Sequence, residues 1–181
     1  MILPMYLYGQ PVLRKVAEPI EKDYPELQTL ITNMFDTMYQ SDGVGLAAPQ
    51  VGLGIRLAVI DASPLADDDP SLATSKFVLI NPKILAFEGD EVSMEEGCLS
   101  LPGIHETVTR RDRIHITYMD ENWTLHDEII EGFLARVVQH EYDHLEGHVF
   151  TDRISPIRRQ LITNKLQNIA KGKANCNYKT K

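Results

Sequence analysis

The chain has 181 residues, 43% of them apolar and 24% charged, with a formal net charge of −8. That length fits a single domain able to bury an ordinary core, and nowhere do apolar residues gather into the run of about 20 that a membrane helix needs. The opening stretch MILPMYLYGQPVLRK has neither the basic and then apolar pattern of a secretion signal nor the Arg- and Ser-rich pattern of an organelle presequence, so a cytoplasmic location is expected, with neither membrane nor DNA as a partner.

In chain order, the segment at 25–43, PELQTLITNMFDTMYQSDG, spaces Leu27, Leu30, Ile31, Met34, Phe35 and Met38 at helical intervals. This predicts an amphipathic helix, with Asp23 as its cap and Gly43 beyond its end. GVGLAAPQVG reads as a loop and IRLAVID as a short strand. The stretch ASPLADDDPSLATSK at 62–76, dense in Asp, Ser and Pro, reads as a surface loop with solvated acids. FVLINP, KILAFEG, TVTRRD and RIHITYMD read as strands, and the last alternates Ile114, Ile116 and Tyr118 as a half-buried strand does. A helix carrying QHEYDHLEGH (139–148) follows. SPIRRQLITNKLQNIAKG then predicts a C-terminal helix with Ile157, Leu161, Ile162, Leu166 and Ile169 on one side.

Helix, many strands, helix, helix is an α+β order in one unit. Residues 1–155 are expected to form the catalytic domain, with 156–181 a basic helix and tail belonging to the same unit. No Asp or Glu follows Asp152. Residues 156–181 hold seven bases, so 1–155 hold eleven bases against 26 acids, a net of −15. The tail reads as a solvated helix end or as a contact for a polyanion such as RNA.

The decisive stretch is QHEYDHLEGH. On an α-helix, His140 and His144 lie one turn apart on the same face, Phe133 and Val137 fall in the same narrow sector, and Glu141 stands to its side. Both imidazoles therefore share a face with two apolar side chains. HExxH is a metal signature in which the histidines bind and the Glu handles protons of an activated water. Taken alone it recurs by chance, and two satisfied histidines beside a surface Glu are the plain alternative.

A third ligand has to come from elsewhere. The extended metalloprotease pattern HExxHxxGxxH matches through Gly147, but Phe150 stands where its last His belongs. His148 faces the metal only if the helix runs unbroken through Gly147, and glycine more often ends helices. Acids before the helix stay possible. Cys98, in EEGCLSLPG, is chemically the better candidate, because a thiolate binds late divalent metals strongly. Three ligands would leave a position open, as catalysis requires. Of the two cysteines, Cys176 in KANCNYKTK reads as an incidental exposed thiol, and no disulfide is required.

GVGLAAPQ at 43–50, EGCLS at 96–100 and QHEYDHLEG at 139–147, in this order and spacing, resemble peptide deformylase over nearly the whole chain. The resemblance implies antiparallel sheets packed around a central metal-binding helix, with an extended C-terminal helix. It implies a divalent metal on Cys98, His140 and His144, natively Fe2+ with Zn2+, Ni2+ or Co2+ able to replace it. The activity it implies is removal of the formyl group from N-formylmethionyl nascent chains, with the ribosome as a further partner through the basic tail.

By the same resemblance Glu141 is the proton-transfer group, while the Gln50 amide and the Leu99 N–H stabilise the oxyanion. Gly45 and Gly97 would let an extended peptide approach, Gly43 likewise, and Val44, Phe133 and Val137 would line the methionine pocket. Where some relatives carry Arg this chain has His105, which reads as an exposed polar residue, and the 62–76 stretch looks inserted. His115 and His126 read as structural. Two rival readings stand beside this one: a zinc-type metallopeptidase, and a non-catalytic metal-stabilised module that binds RNA or the ribosome.

Overall fold

The computed structural model describes all 181 residues. Helix α1, Leu27–Gln40, buries Leu27, Ile31, Met34, Phe35 and Met38, as the spacing predicts. Its N-terminus corrects one expectation: Glu26 precedes it in the left-handed region (φ 55°), and no side chain caps it. Asp23 falls three residues too early for the role, inside the turn closed by Tyr24 N–H donating to Glu21 O. Gly43 lies beyond the helix end, as expected, and its N–H returns to Met38 O at 2.9 Å.

The stretch read as a loop after α1 contains a three-residue strand, β1, Gly45–Ala47, too short to show a period of its own. A 3-10 turn at Ala48–Val51 follows and buries Gln50. Strand β2, Leu57–Asp61, is buried along its whole length. Leu57 and Val59 join the core cluster built with α1, while Ala58 and Ile60 join the cluster on the other face. A strand covered on both sides reads as a continuous apolar run rather than an alternation.

FVLINP and KILAFEG are one strand rather than two. β3 runs Lys76–Cys98 and pairs along its length with β4, Leu101–Met119, which takes in both TVTRRD and RIHITYMD. Register shifts between Ile80 and Lys83 and between Glu88 and Glu91 mark the places where the sequence appeared to break. Pro82, which has no N–H to donate, sits at the first. The β3–β4 turn is only Leu99 and Ser100, so Cys98 lies at the tip of a long hairpin. β5, Leu125–Glu131, completes a single five-stranded antiparallel sheet in the order β1-β2-β3-β4-β5.

Helix α2, Gly132–Leu145, carries the metal motif and packs against β1, β2, β4 and β5. Ala135, Val137, Val138 and Leu145 fill the cluster with Ile60, Leu79, Ile114, Ile116 and Ile130. Gly147 (φ 79°) ends this segment, and His148 beyond it is exposed, facing Asp152 at 3.8 Å rather than any metal site. The predicted C-terminal helix is divided at Ile162 into α3, Pro156–Leu161, and α4, Thr163–Ala170. The division splits the apolar stripe. Ile162, Leu166 and Ile169 turn into the core shared with α1, while Ile157 and Leu161 stay exposed. No helix is long and apolar enough to cross a membrane.

Candidate metal centre

The tip of the β3–β4 hairpin meets the C-terminal half of α2, and there Cys98, His140 and His144 come together. Their ligand atoms all lie within 4.8 Å of one another, the only group of three His, Cys, Asp or Glu side chains so arranged. Cys98 Sγ is 3.3 Å from His144 Nε2. Burial alone would push the Cys98 thiol up, but the two imidazoles outweigh it and bring the pKa down to about 5. A thiolate with two imidazoles suits a late divalent metal. The acids that stayed open as a third ligand are absent from this group, and the Asp67–Asp69 triplet turns instead into a local cap, with Asp69 accepting from Ser71 N–H at 3.1 Å.

His140 is oriented from behind. Its Nδ1 lies 3.0 Å from Glu96 Oε1, which leaves Nε2 for the site. Glu96 is itself held by Arg110 (Nε to Oε2, 2.7 Å; Nη2 to Oε1, 3.0 Å) and by Arg136 (Nη1 to Oε2, 2.5 Å). Arg110 also bonds Asp143 at 2.9 Å, and Arg153 grips the same carboxylate at 2.6 and 2.7 Å. Burial would raise the Glu96 carboxyl, but His140 and Arg110 outweigh it and hold it far below the usual carboxylate range. Phe150, at the position where a metalloprotease would carry its third His, stacks on the His140 ring at 5.9 Å.

Glu141 is 4% exposed, and its Oε2 has no hydrogen-bond partner. Buried polar atoms are ordinarily paired; the only other buried side-chain atoms left without a partner are His144 Nδ1 and Thr151 Oγ1. Burial, the largest influence, raises its pKa. β1 closes over it at Gly45: a Cβ there would stand 2.6 Å from Glu141 Oε1. Gln50 reaches the centre from the 3-10 turn. Its Oε1 accepts from Ala47 N–H at 2.9 Å, which turns Nε2 toward Cys98 Sγ (3.4 Å) and Ser100 Oγ (3.3 Å).

One cleft of about 490 Å³ opens onto this centre. Val44, Gly45, Gly97, Phe133 and Val137, all predicted to meet substrate, line it together with Gln50, Cys98, Leu99, His140 and Glu141. His144 lies behind, 1% exposed. His105 lines the rim as an exposed residue, its ring against Gly97, while His115 and His126 sit apart in carboxylate pairs with Asp127 and Asp120.

Residues 2–160 match the family model described as polypeptide deformylase. The chain belongs to the polypeptide deformylase family. It is 53% identical over 186 residues to a peptide deformylase of Christiangramia forsetii, covering 99% of this chain and 95% of that one. Solved peptide deformylases of Legionella pneumophila and Thermus thermophilus are each 39% identical to it. The first superposes with a TM-score of 0.82 over 98% of this chain and 100% of its own, the second with 0.84 over 96% and 100%. The protein is thus a metal-dependent hydrolase that removes the N-formyl group from newly made polypeptides, and the metallopeptidase and non-catalytic readings fall away.

Several residues of this deformylase site escaped the reading of the sequence. Glu96 lies inside EGCLS, where no local pattern marks it. Ile104, Glu106, Val108 and Arg110 are the inward residues of β4, so a charge at 106 and at 110 in an otherwise apolar register was the available signal. Cys176 corrects another expectation. It is half-buried and lines the cleft, as does Tyr178, whose hydroxyl donates to Leu99 O at 2.6 Å. A polar segment that returns from α4 to the cleft carries no periodic mark.

Proposed function

We propose that Cys98, His140 and His144 hold one divalent ion, natively Fe2+ with Zn2+, Ni2+ or Co2+ able to take its place, and that Glu141 is the proton-transfer residue of the deformylation. The convergence of those three side chains beside the unpartnered Glu141 Oε2 carries this reading. When bound, the ion supplies the Lewis acidity that makes water a competent nucleophile near neutral pH.

The chain's own groups do the rest. Glu141 accepts the proton of the attacking water and returns it to the leaving amine, so that formamide and water become formate and a free N-terminus. Proton transfer of this kind is worth about 10²–10⁴ in rate. The Gln50 amide and the Leu99 N–H donate to the formyl oxygen as negative charge develops there. Val44, Phe133 and Val137 take the methionine side chain, and the backbone at Gly45 and Gly97 pairs with the extended peptide.

Residues 1–155 and 156–181 act as one unit, which the burial of Leu166 and Ile169 beside α1 supports. The working location is the cytoplasm, at the ribosome, with the exposed bases of the C-terminal segment facing ribosomal RNA.

The test is formate release from formyl-Met-Ala-Ser by anaerobically purified protein, beside Glu141→Ala and a metal-stripped sample, with metal content measured in each. Formate from the parent only, restored to the stripped sample by Fe2+ and absent from metal-loaded Glu141→Ala, is expected. Undiminished formate from Glu141→Ala would remove Glu141 from its role.

A further inference from the structure

Beyond α4 the chain returns to the cleft. Thr180 forms a parallel bridge with Met5, and Met5 N–H donates to Lys179 O and Lys181 N–H to Met5 O, each at 2.8 Å. Ala174 and Tyr178 pack against the core shared by α1 and α4. The Tyr178 hydroxyl bonds Leu99 O at 2.6 Å, fixing the peptide plane next to the one that carries the Leu99 N–H. Between these anchors Asn175, Cys176 and Asn177 line the same cleft as Cys98 and Glu141. The family match ends at residue 160, short of them all.

We propose that residues 174–181 are a specificity-determining wall of the deformylation site. Asn175 and Asn177 hold the residues that follow the formylmethionine, and Tyr178 is the positioning residue that fastens the wall to the Leu99 turn. The inference rests on the deformylase reading and names where the rest of the peptide lies. A cleft of about 490 Å³ falls within the range that takes drug-sized ligands, roughly 300–1,000 Å³, so it has room beyond a single formylated residue. Each asparagine amide offers both donors and an acceptor. Both side chains are exposed, and neither bonds another group of the chain. They are free to meet the backbone and polar side chains of a peptide's second and third residues. His105, also exposed, lines the same cleft.

The test compares two substrates, formylmethionyl amide, which has no second residue, and formyl-Met-Ala-Ser. The ratio of kcat/KM for the tripeptide over that for the amide is measured in the parent, in the double variant Asn175→Ala with Asn177→Ala, and in Tyr178→Phe. The ratio should fall about threefold to tenfold in the asparagine variant, the worth of one or two hydrogen bonds, with the change in KM for the tripeptide. Tyr178→Phe keeps the ring against the core and removes the donor to Leu99 O, so its ratio should fall in the same direction. An unchanged ratio in the asparagine variant, or equal losses on both substrates, overturns the proposal whatever Tyr178→Phe does. Failure of the parent to release formate from either substrate would instead remove the deformylase reading beneath it.

Discussion

Glu96 and His140 face each other across the β3–α2 junction, with Glu96 Oε1 3.0 Å from His140 Nδ1. One carboxylate thereby sets the orientation of the His140 imidazole while neutralising Arg110 and Arg136, whose guanidinium groups are almost wholly buried. The metal site and the packing of α2 on the hairpin are in this way parts of one charge network.

Glu96→Gln should weaken metal binding about 10- to 100-fold, the usual cost of losing the partner that orients a ligating imidazole. It should also lower the stability of the metal-free protein, because two buried guanidinium groups lose a shared countercharge. Breaking such pairs costs about 3–5 kcal/mol. Chelator competition and thermal unfolding read the two effects separately. Unaltered metal affinity would mean that packing on Phe150 alone orients His140.

Gly45→Ala tests the closeness of β1 to Glu141. The backbone at 45 is not in the left-handed region, so alanine meets no conformational penalty there. Its Cβ, however, would lie 2.6 Å from Glu141 Oε1 and 2.9 Å from its Cγ. Something must shift, and the carboxylate is the movable group. Displacement by about 1 Å costs on the order of 10²-fold in rate, so kcat for formyl-Met-Ala-Ser should fall by about that factor while the protein still folds and binds metal. A kcat equal to the parent's would show that β1 yields instead.

Asp61→Asn addresses acid stability away from the metal. Burial raises this carboxyl, but bonds from Ser63 Oγ (2.5 Å), Ser63 N–H (3.0 Å) and the Tyr39 hydroxyl (2.5 Å) outweigh it and leave the pKa lowered. A lowered folded-state pKa contributes stability that is complete above the unfolded value of about 3.9 and lost as pH falls through the folded one. The variant should therefore be less stable than the parent by about 1–3 kcal/mol at pH 7, with the difference shrinking as pH drops below about 4. A difference that stays constant from pH 7 to pH 3 would mean that Asp61 acts by shape rather than charge.

The elements legible in the sequence were those with a period or a spacing. The α1 stripe, the alternation at Ile114–Tyr118 and the His140–His144 interval each follow from local geometry, and each is found in place. Cys98 was legible only by its chemistry, since nothing in local pattern brings residue 98 to a helix that begins beyond two further strands. That approach is made by the two-residue turn at Leu99–Ser100 and the pairing of β3 with β4. Glu96, Arg110 and Asp143 were hidden for a related reason: a charge is buried only when its partner arrives from another element. The division of the last helix at Ile162 was equally unseen, because a stripe fits one straight helix as well as two that bend it into a core.

The C-terminal bases give the last prediction. Deleting residues 158–181 would strip buried Ile162, Leu166 and Ile169 from the core, so loss of ribosome binding in such a variant would report only unfolding. Lys165, Lys171 and Lys173 are exposed and lie away from the cleft, so Lys165→Gln, Lys171→Gln and Lys173→Gln together remove charge without touching packing. Each basic contact to phosphate contributes about 0.7–0.9 to the slope of log affinity against log salt. Cosedimentation of the triple variant with ribosomes should therefore weaken and become less sensitive to salt, while formate release from free formyl-Met-Ala-Ser stays at the parent's rate. Cosedimentation equal to the parent's at every salt concentration would exclude these lysines as the ribosome-facing surface. Weakening with an undiminished salt slope would show that these lysines do not act through contacts to phosphate.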